Sequence, residues 1–107
     1  MEKNESFEAI RRGLLEFLVL TVISGEAVYS ADILGALEGT EFKTQEGTLY
    51  PLLSKLRREQ LLDYSWQESE TGPPRKYYSL TDKGKARLDD LQEYWDSINK
   101  TIKKLTK

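Results

Sequence analysis

Between Thr44 and Leu62 the chain reads TQEGTLYPLLSKLRREQLL, and its polar residues recur at helical spacing. On a helix of about 3.6 residues per turn, Gly47, Thr48, Tyr50, Ser54, Lys55 and Arg58 share one side. No large aliphatic residue and no acid falls among them. Hydroxyls and cations on one helix face can hydrogen-bond base edges and neutralise phosphates. That is the chemistry of a recognition helix in the major groove of DNA. Leu49, Leu52, Leu53 and Leu56 form the opposite, buriable side. An ordinary surface helix has a polar face too, so the helix alone does not separate the two readings. The residues after it do.

Several other chemistries are excluded by residue type, though carboxylate or serine chemistry is not among them. The chain has no cysteine and no histidine. Disulfides, Cys/His zinc sites and histidine acid–base catalysis are therefore ruled out. No Gly-rich phosphate loop or nucleophile elbow occurs. The expectation is a protein that is not an enzyme, with no catalytic residue, metal or cofactor. The formal net charge of −2 argues mildly against a nucleic-acid partner. Local distribution overrides it: Lys55, Arg57, Arg58, Arg75 and Lys76 cluster near the candidate reading face. Glu16, Asp89, Asp90, Glu93 and Asp96 fall in other elements.

The elements that must position this face can be read in order. A chain of 107 residues forms a small core, and a second copy is a natural way to bury more. The longest apolar run, Leu14 to Ile23, is interrupted by Glu16 and Thr21 and is too short to span a bilayer. The charged start, MEKNESFEAIRR, lacks a signal-peptide core, so a cytoplasmic protein is expected. Phe7 to Gly25 reads as a helix. Leu14, Leu15, Phe17, Leu18, Val19, Leu20, Val22 and Ile23 wrap nearly all round it, which implies burial against its own domain and a second element, such as a partner subunit. Gly25 suits a C′ position with positive φ. Ser30 to Leu37 is a short helix with Ser30 as N-cap, Asp32 in its first turn and a stripe of Ile33, Leu34 and Leu37. Tyr29 is placed to staple onto Leu34, and Gly39 ends the helix. With the short link Thr40 to Lys43, the two helices make a helix-turn-helix. Pro51 leaves the start of the second helix open between Thr44 and Thr48.

Leu62 to Gln67 alternates like a strand, Glu68 to Arg75 reads as a Gly/Pro turn, and Lys76 to Leu80 is a second strand. The pair forms a hairpin whose loop is too long for a two-residue turn. Three helices, a strand, a basic loop and a strand make a winged helix. Thr81 caps a final helix from Asp82 to Thr106, about 37 Å long. Leu88, Leu91, Trp95, Ile98, Ile102 and Leu105 step along it by threes and fours as a heptad seam. Such a helix overruns its domain, so the seam is expected to form a dimer interface; the alternative is a helix that folds back. The fold class is α+β, mostly α. Residues 1–80 form a winged helix-turn-helix DNA-binding domain, its first helix also in the dimer interface, and 81–107 form a C-terminal dimerisation helix.

The stretches GTLYPLLSKLRREQLL and GPPRKYYSLTDKG, at their separation here, resemble the PadR family of bacterial transcriptional regulators. The resemblance covers the chain from about Arg11 onward and is closest to the short branch with one C-terminal helix. It implies a homodimeric repressor that binds double-stranded DNA at an inverted repeat and is released by a small molecule. Thr48 and Tyr50 match the family's phosphate and groove contacts, and Arg75 and Lys76 the wing's basic pair. Gln45, Ser54 and Lys55 are expected at base edges or adjoining phosphates. The family's wing is often more basic than this one, which carries Glu68, Glu70, Pro73 and Pro74. In some multidrug-responsive members a tryptophan of the last helix lines a pore between subunits, and EYWDSINKTIKKL puts Trp95 at that position. The implied slot for a planar aromatic or cationic effector is made by Trp95, Leu91, Ile98, Leu14 and Leu18. Two other readings compete: a winged-helix module that binds protein, which the acidic pI of 5.2 favours, and a dimer that only sequesters ligand.

Overall fold

The structure is a computed structural model describing residues 7–107; residues 1–6 of the expected first domain lie outside the described ones. The described chain folds as α1 (Glu8–Ile23), α2 (Ser30–Leu37), α3 (Glu46–Arg58), β1 (Leu62–Ser69), β2 (Gly72–Leu80) and α4 (Asp82–Leu105). The first five elements make a winged helix-turn-helix, and the fold is mostly helical with one small antiparallel sheet.

The core forms where the apolar stripes meet. Leu15, Val19, Leu20 and Ile23 of α1 are buried against Ile33 and Leu37 of α2 and Leu49, Leu53 and Leu56 of α3. Leu61, Leu62 and Tyr78 close it from the hairpin side. The other side of α1, with Leu14, Phe17 and Leu18, is only half-buried and faces α4. Arg11 holds the helix-turn-helix link against α1, donating from Nη2 to the Lys43 carbonyl at 3.1 Å and the Glu41 carbonyl at 3.4 Å.

Several local expectations are corrected. Gly25 does not take a positive φ; α1 ends at Ser24 with φ −68°, whose hydroxyl donates to the Thr21 carbonyl at 2.7 Å. That side-chain bond satisfies a terminal carbonyl without a left-handed residue. Ser30 is the first helical residue of α2 and not its cap. Tyr29 is the cap, and its N–H donates to Asp32 Oδ2 at 3.2 Å. α3 begins at neither Thr44 nor Thr48: Gln45 is the extended N-cap, and Glu46 opens the helix. Pro51 therefore sits inside α3, on its exposed side, where water can satisfy the carbonyl it leaves unpaired. At the far end Gln60 adopts φ 65°; its N–H and that of Leu61 close back on the Arg57 and Leu56 carbonyls in a Schellman pattern.

The hairpin is longer and tighter than its composition predicts. Its strands run to Ser69 and from Gly72, leaving only Glu70 and Thr71 as the turn. Gln67 pairs with Arg75 and Ser69 with Gly72, so Glu68 stands opposite both Pro73 and Pro74. This bulge accommodates the prolines, whose fixed φ suits an extended chain and whose missing N–H groups the ladder does not need there. Val28 bridges β2 on its free edge, exchanging backbone bonds with Tyr78.

α4 starts as expected: Thr81 Oγ1 accepts from Gly84 N–H at 2.9 Å and donates to the Gln60 carbonyl at 2.7 Å. Its first half packs on the domain through Leu88 and Leu91. Its second half leaves the domain, and Ile102 and Leu105 are 56% and 72% exposed.

Candidate nucleic-acid interface

The polar side of α3 is solvent-exposed from Gln45 to Arg58, while Leu49, Leu53 and Leu56 anchor the helix from below. Beside it the hairpin rises, because Leu62, Tyr64 and Trp66 share a face that starts in the core and runs out over α3. A groove of about 480 Å³ lies between them. Tyr50 and Ser54 line it from α3, Ser30 from the start of α2, and Arg75 and Lys76 from the hairpin.

The polar groups in the groove are held in place. Tyr50 Oη and Ser30 Oγ are 2.9 Å apart and hydrogen-bonded, which fixes the phenol across the α2–α3 corner. The Arg75 guanidinium lies 4.7 Å from the Tyr29 ring, and that ring is 5.4 Å from Tyr77. Lys76 Nζ is 4.4 Å from the Tyr64 ring and 5.5 Å from the Trp66 ring. Arg57 lies 4.5 Å from Tyr64. Cations resting on ring faces lose little further freedom when an anion arrives. Tyr78, under the groove, has its phenol pushed above the usual value by burial first, then by the neighbouring Tyr50 and Tyr64 phenols.

Of the residues expected to contact DNA, Tyr50, Ser54, Arg75 and Lys76 meet at this groove. Gln45 and Thr48 are exposed at the N-terminal end of α3, outside the groove lining. Lys55 points elsewhere. Its ammonium is 3.3 Å from Glu16 of α1 and 3.8 Å from Glu59. The other oxygen of Glu16 lies 3.6 Å from Arg87 of α4, so one carboxylate joins three helices. Lys55 sits on the flank of α3 away from the hairpin, and only an α1 acid distant in sequence could have shown it. The sequence reading also missed Tyr29, Ser30, Glu46 and Trp66 in the groove lining. Glu46 is an acid at the helix start, so the reading side is not free of negative charge.

The expected effector residues gather at a second place. Two apolar clefts flank Trp95 between α1 and α4, of about 350 and 290 Å³. Leu14 and Trp95 line both; Leu18 lines the first, and Leu91 and Ile98 the second. Phe17, in both linings, was not singled out from the sequence. The seam itself lies on one side of α4, with Trp95 38% exposed.

A tri-helical core, a recognition-type helix and a hairpin beside it define the winged helix-turn-helix class. Comparison with known proteins narrows this. Residues 19–90 match the transcriptional regulator PadR-like family. The chain is 39% identical to a PadR-like transcription factor from Bacteroides fragilis, with a TM-score of 0.82, over 95% of this chain and 99% of that one. It is 36% identical to a PadR-like transcriptional regulator from Bacillus cereus, with a TM-score of 0.78, over 88% and 92% of the two chains. A PadR family transcriptional regulator from Eggerthella lenta is 30% identical, with a TM-score of 0.81, over 95% and 89%. The chain belongs to the PadR-like family of transcriptional regulators, and these are not enzymes. Among the described residues no helix is long and apolar enough to cross a membrane.

Proposed function

We propose that this protein is a cytoplasmic, homodimeric transcriptional repressor that binds an inverted repeat in double-stranded DNA and is released by a flat, apolar effector. The observation that carries the DNA half is the convergence of Tyr50, Ser54, Ser30, Arg75 and Lys76, from three separate parts of the chain, on one groove. α3 enters the major groove, Gln45 and Thr48 meet the flanking backbone, and the hairpin follows the neighbouring strand. Thr48 and Ser54 offer hydroxyls to phosphates or base edges, and Arg75 and Lys76 neutralise phosphates.

The dimer reading rests on Trp95, Ile102 and Leu105, which stand exposed along the Leu88–Leu105 seam. Each Leu or Ile buried there contributes about 1.5–3 kcal/mol. A two-fold axis through the seam puts two recognition helices on successive major-groove faces, about 34 Å apart. The effector reading rests on the clefts beside Trp95. Two indoles across that axis leave an apolar slot, and stacking of a flat ring adds about 0.5–1.5 kcal/mol per face beyond area burial. Asp89, Asp90, Glu93 and Asp96 lie on the same helix but line neither cleft, so the effector contact rests on apolar burial and ring stacking. Effector lowers DNA affinity only by preferring the DNA-free arrangement, so DNA must weaken effector binding equally.

Selection of duplexes from a randomised library tests the reading. The expected winner is an inverted repeat with half-sites about one turn, or a multiple, apart. Enrichment of no sequence, or of a single asymmetric site, contradicts it. The protein-binding alternative draws on the pI of 5.2 and on Glu46 in the groove; it predicts no DNA affinity at any salt concentration.

A further inference from the structure

Of the exposed large apolar residues Phe7, Ile10 and Trp66, only Trp66 lines the groove beside α3. It lies on the same strand face as the buried Leu62 and half-buried Tyr64, yet it is 60% exposed. The alternation of β1 carries that face out of the core, and its next residue overhangs the groove beside α3. The indole is held there. Tyr64 meets it edge to face, with centroids 6.3 Å apart and planes at 89°, and its cross-strand partner Lys76 places an ammonium 5.5 Å from the ring. A fixed, exposed indole contributes nothing to the core at that position and costs hydration of its apolar surface.

The charges around it say what it can do. The turn beyond it carries Glu68 and Glu70, and Glu46 lines the same groove. Lys76 and Arg75 rest on aromatic rings. The three acids offset part of the attraction that Arg75 and Lys76 hold for phosphates, and an apolar contact from the indole adds to what those cations supply. A duplex seated on α3 brings the deoxyribose faces and base edges of the adjoining strand to this position, and both present apolar surface. We infer that Trp66 is a DNA-contacting residue whose indole packs on the sugar and base edge beside the recognition helix, supplying a part of the affinity that salt does not screen. The inference rests on the groove being the DNA interface.

The experiment uses the Trp95→Phe protein, in which Trp66 is the sole tryptophan, and the duplex recovered by library selection. Its own DNA affinity is measured first; failure of this protein and the wild type to bind any duplex overturns both the DNA-binding reading and this contact. When binding occurs, the indole emission should change on saturation and become shielded from acrylamide. Trp66→Ala should lower affinity about tenfold, and Trp66→Phe by less, because a ring remains. The slope of log affinity against log salt should stay unchanged in both, since no ion is lost. Unaltered thermal unfolding of Trp66→Phe separates loss of contact from loss of fold. Tight binding with the indole still open to acrylamide, or undiminished affinity in Trp66→Ala, overturns the contact and leaves the groove assignment standing. A slope that shallows in Trp66→Ala also overturns it, because the residue would then act only by positioning Lys76.

Discussion

Gly84 is the residue whose replacement should disturb the molecule most for its size. It is buried in the first turn of α4, and a Cβ built on it would stand 2.1 Å from the Leu61 carbonyl oxygen and 3.0 Å from the carbonyl carbon. Both atoms are backbone, so no side chain can swing away. In Gly84→Ala the start of α4 must retreat from Leu61 by about 1 Å, and overpacking of this kind costs about 1–3 kcal/mol. The retreat also loosens the Thr81 cap, which accepts from Gly84 at 2.9 Å, and the Thr81 N–H bond to Leu61 at 3.1 Å. A lost cap costs about 1 kcal/mol. Alanine's better helix propensity returns about 1 kcal/mol. The net expectation is destabilisation of about 1–3 kcal/mol, a fall in Tm of roughly 4–8 °C for each kcal/mol. Gly35→Ala is the control, since no atom lies within 4 Å of its added Cβ in α2. That variant should gain about 0.5–1 kcal/mol. Urea unfolding followed by far-UV circular dichroism measures both. If Gly84→Ala is as stable as wild type while Gly35→Ala behaves as stated, the close packing of α4 on Leu61 is refuted.

Further outcomes follow from other parts of the fold. Gln60→Gly relieves a left-handed conformation at the end of α3 and should stabilise by about 0.5–1 kcal/mol in urea unfolding. The raised Tyr78 pKa makes its contribution to stability full below pH 10.0 and lost as pH rises through the folded value. Unfolding free energy should therefore drop above that pH, and Tyr78→Phe should reduce the drop. Ile98→Glu with Ile102→Glu puts unpaired charges in the seam, at a cost of several kcal/mol. Light scattering should show monomer or aggregate; a wild-type-sized dimer would contradict the seam. Arg75→Ala, which removes one phosphate contact in each subunit, should shallow the salt slope of DNA binding by about 2, whereas Lys55→Ala, whose ammonium is engaged with Glu16, should not.

The residues that were legible in advance are those whose roles are local. The Leu49–Leu56 stripe, the Thr81 cap and the alternation of β1 each depend on neighbours a few positions away, and periodicity reports them directly. Arg75 and Lys76 could be placed with Tyr50 and Ser54 because a hairpin after a helix-turn-helix has few places to go. What was not legible depends on distant partners. Lys55 looked like a reading residue because the helix alone cannot show that Glu16 waits beside it. Ser30 looked like a cap because its bond to Tyr50 crosses two elements. The hairpin loop looked long because Pro73 and Pro74 usually mark turns; only the pairing shows them absorbed in a bulge opposite Glu68. Glu46 escaped notice because the start of α3 depended on how the chain tolerates Pro51.

The salt dependence of duplex binding tests the central claim most directly. Fluorescence anisotropy of a labelled duplex would be titrated with the protein at several salt concentrations. Each phosphate neutralised contributes about −0.9 to the slope of log affinity against log salt. With Arg75 and Lys76 engaged in both subunits, the slope should be about −4 or steeper. Binding whose affinity does not change with salt, or no binding at the lowest salt, would contradict the assignment of α3 and the hairpin as a DNA-reading surface.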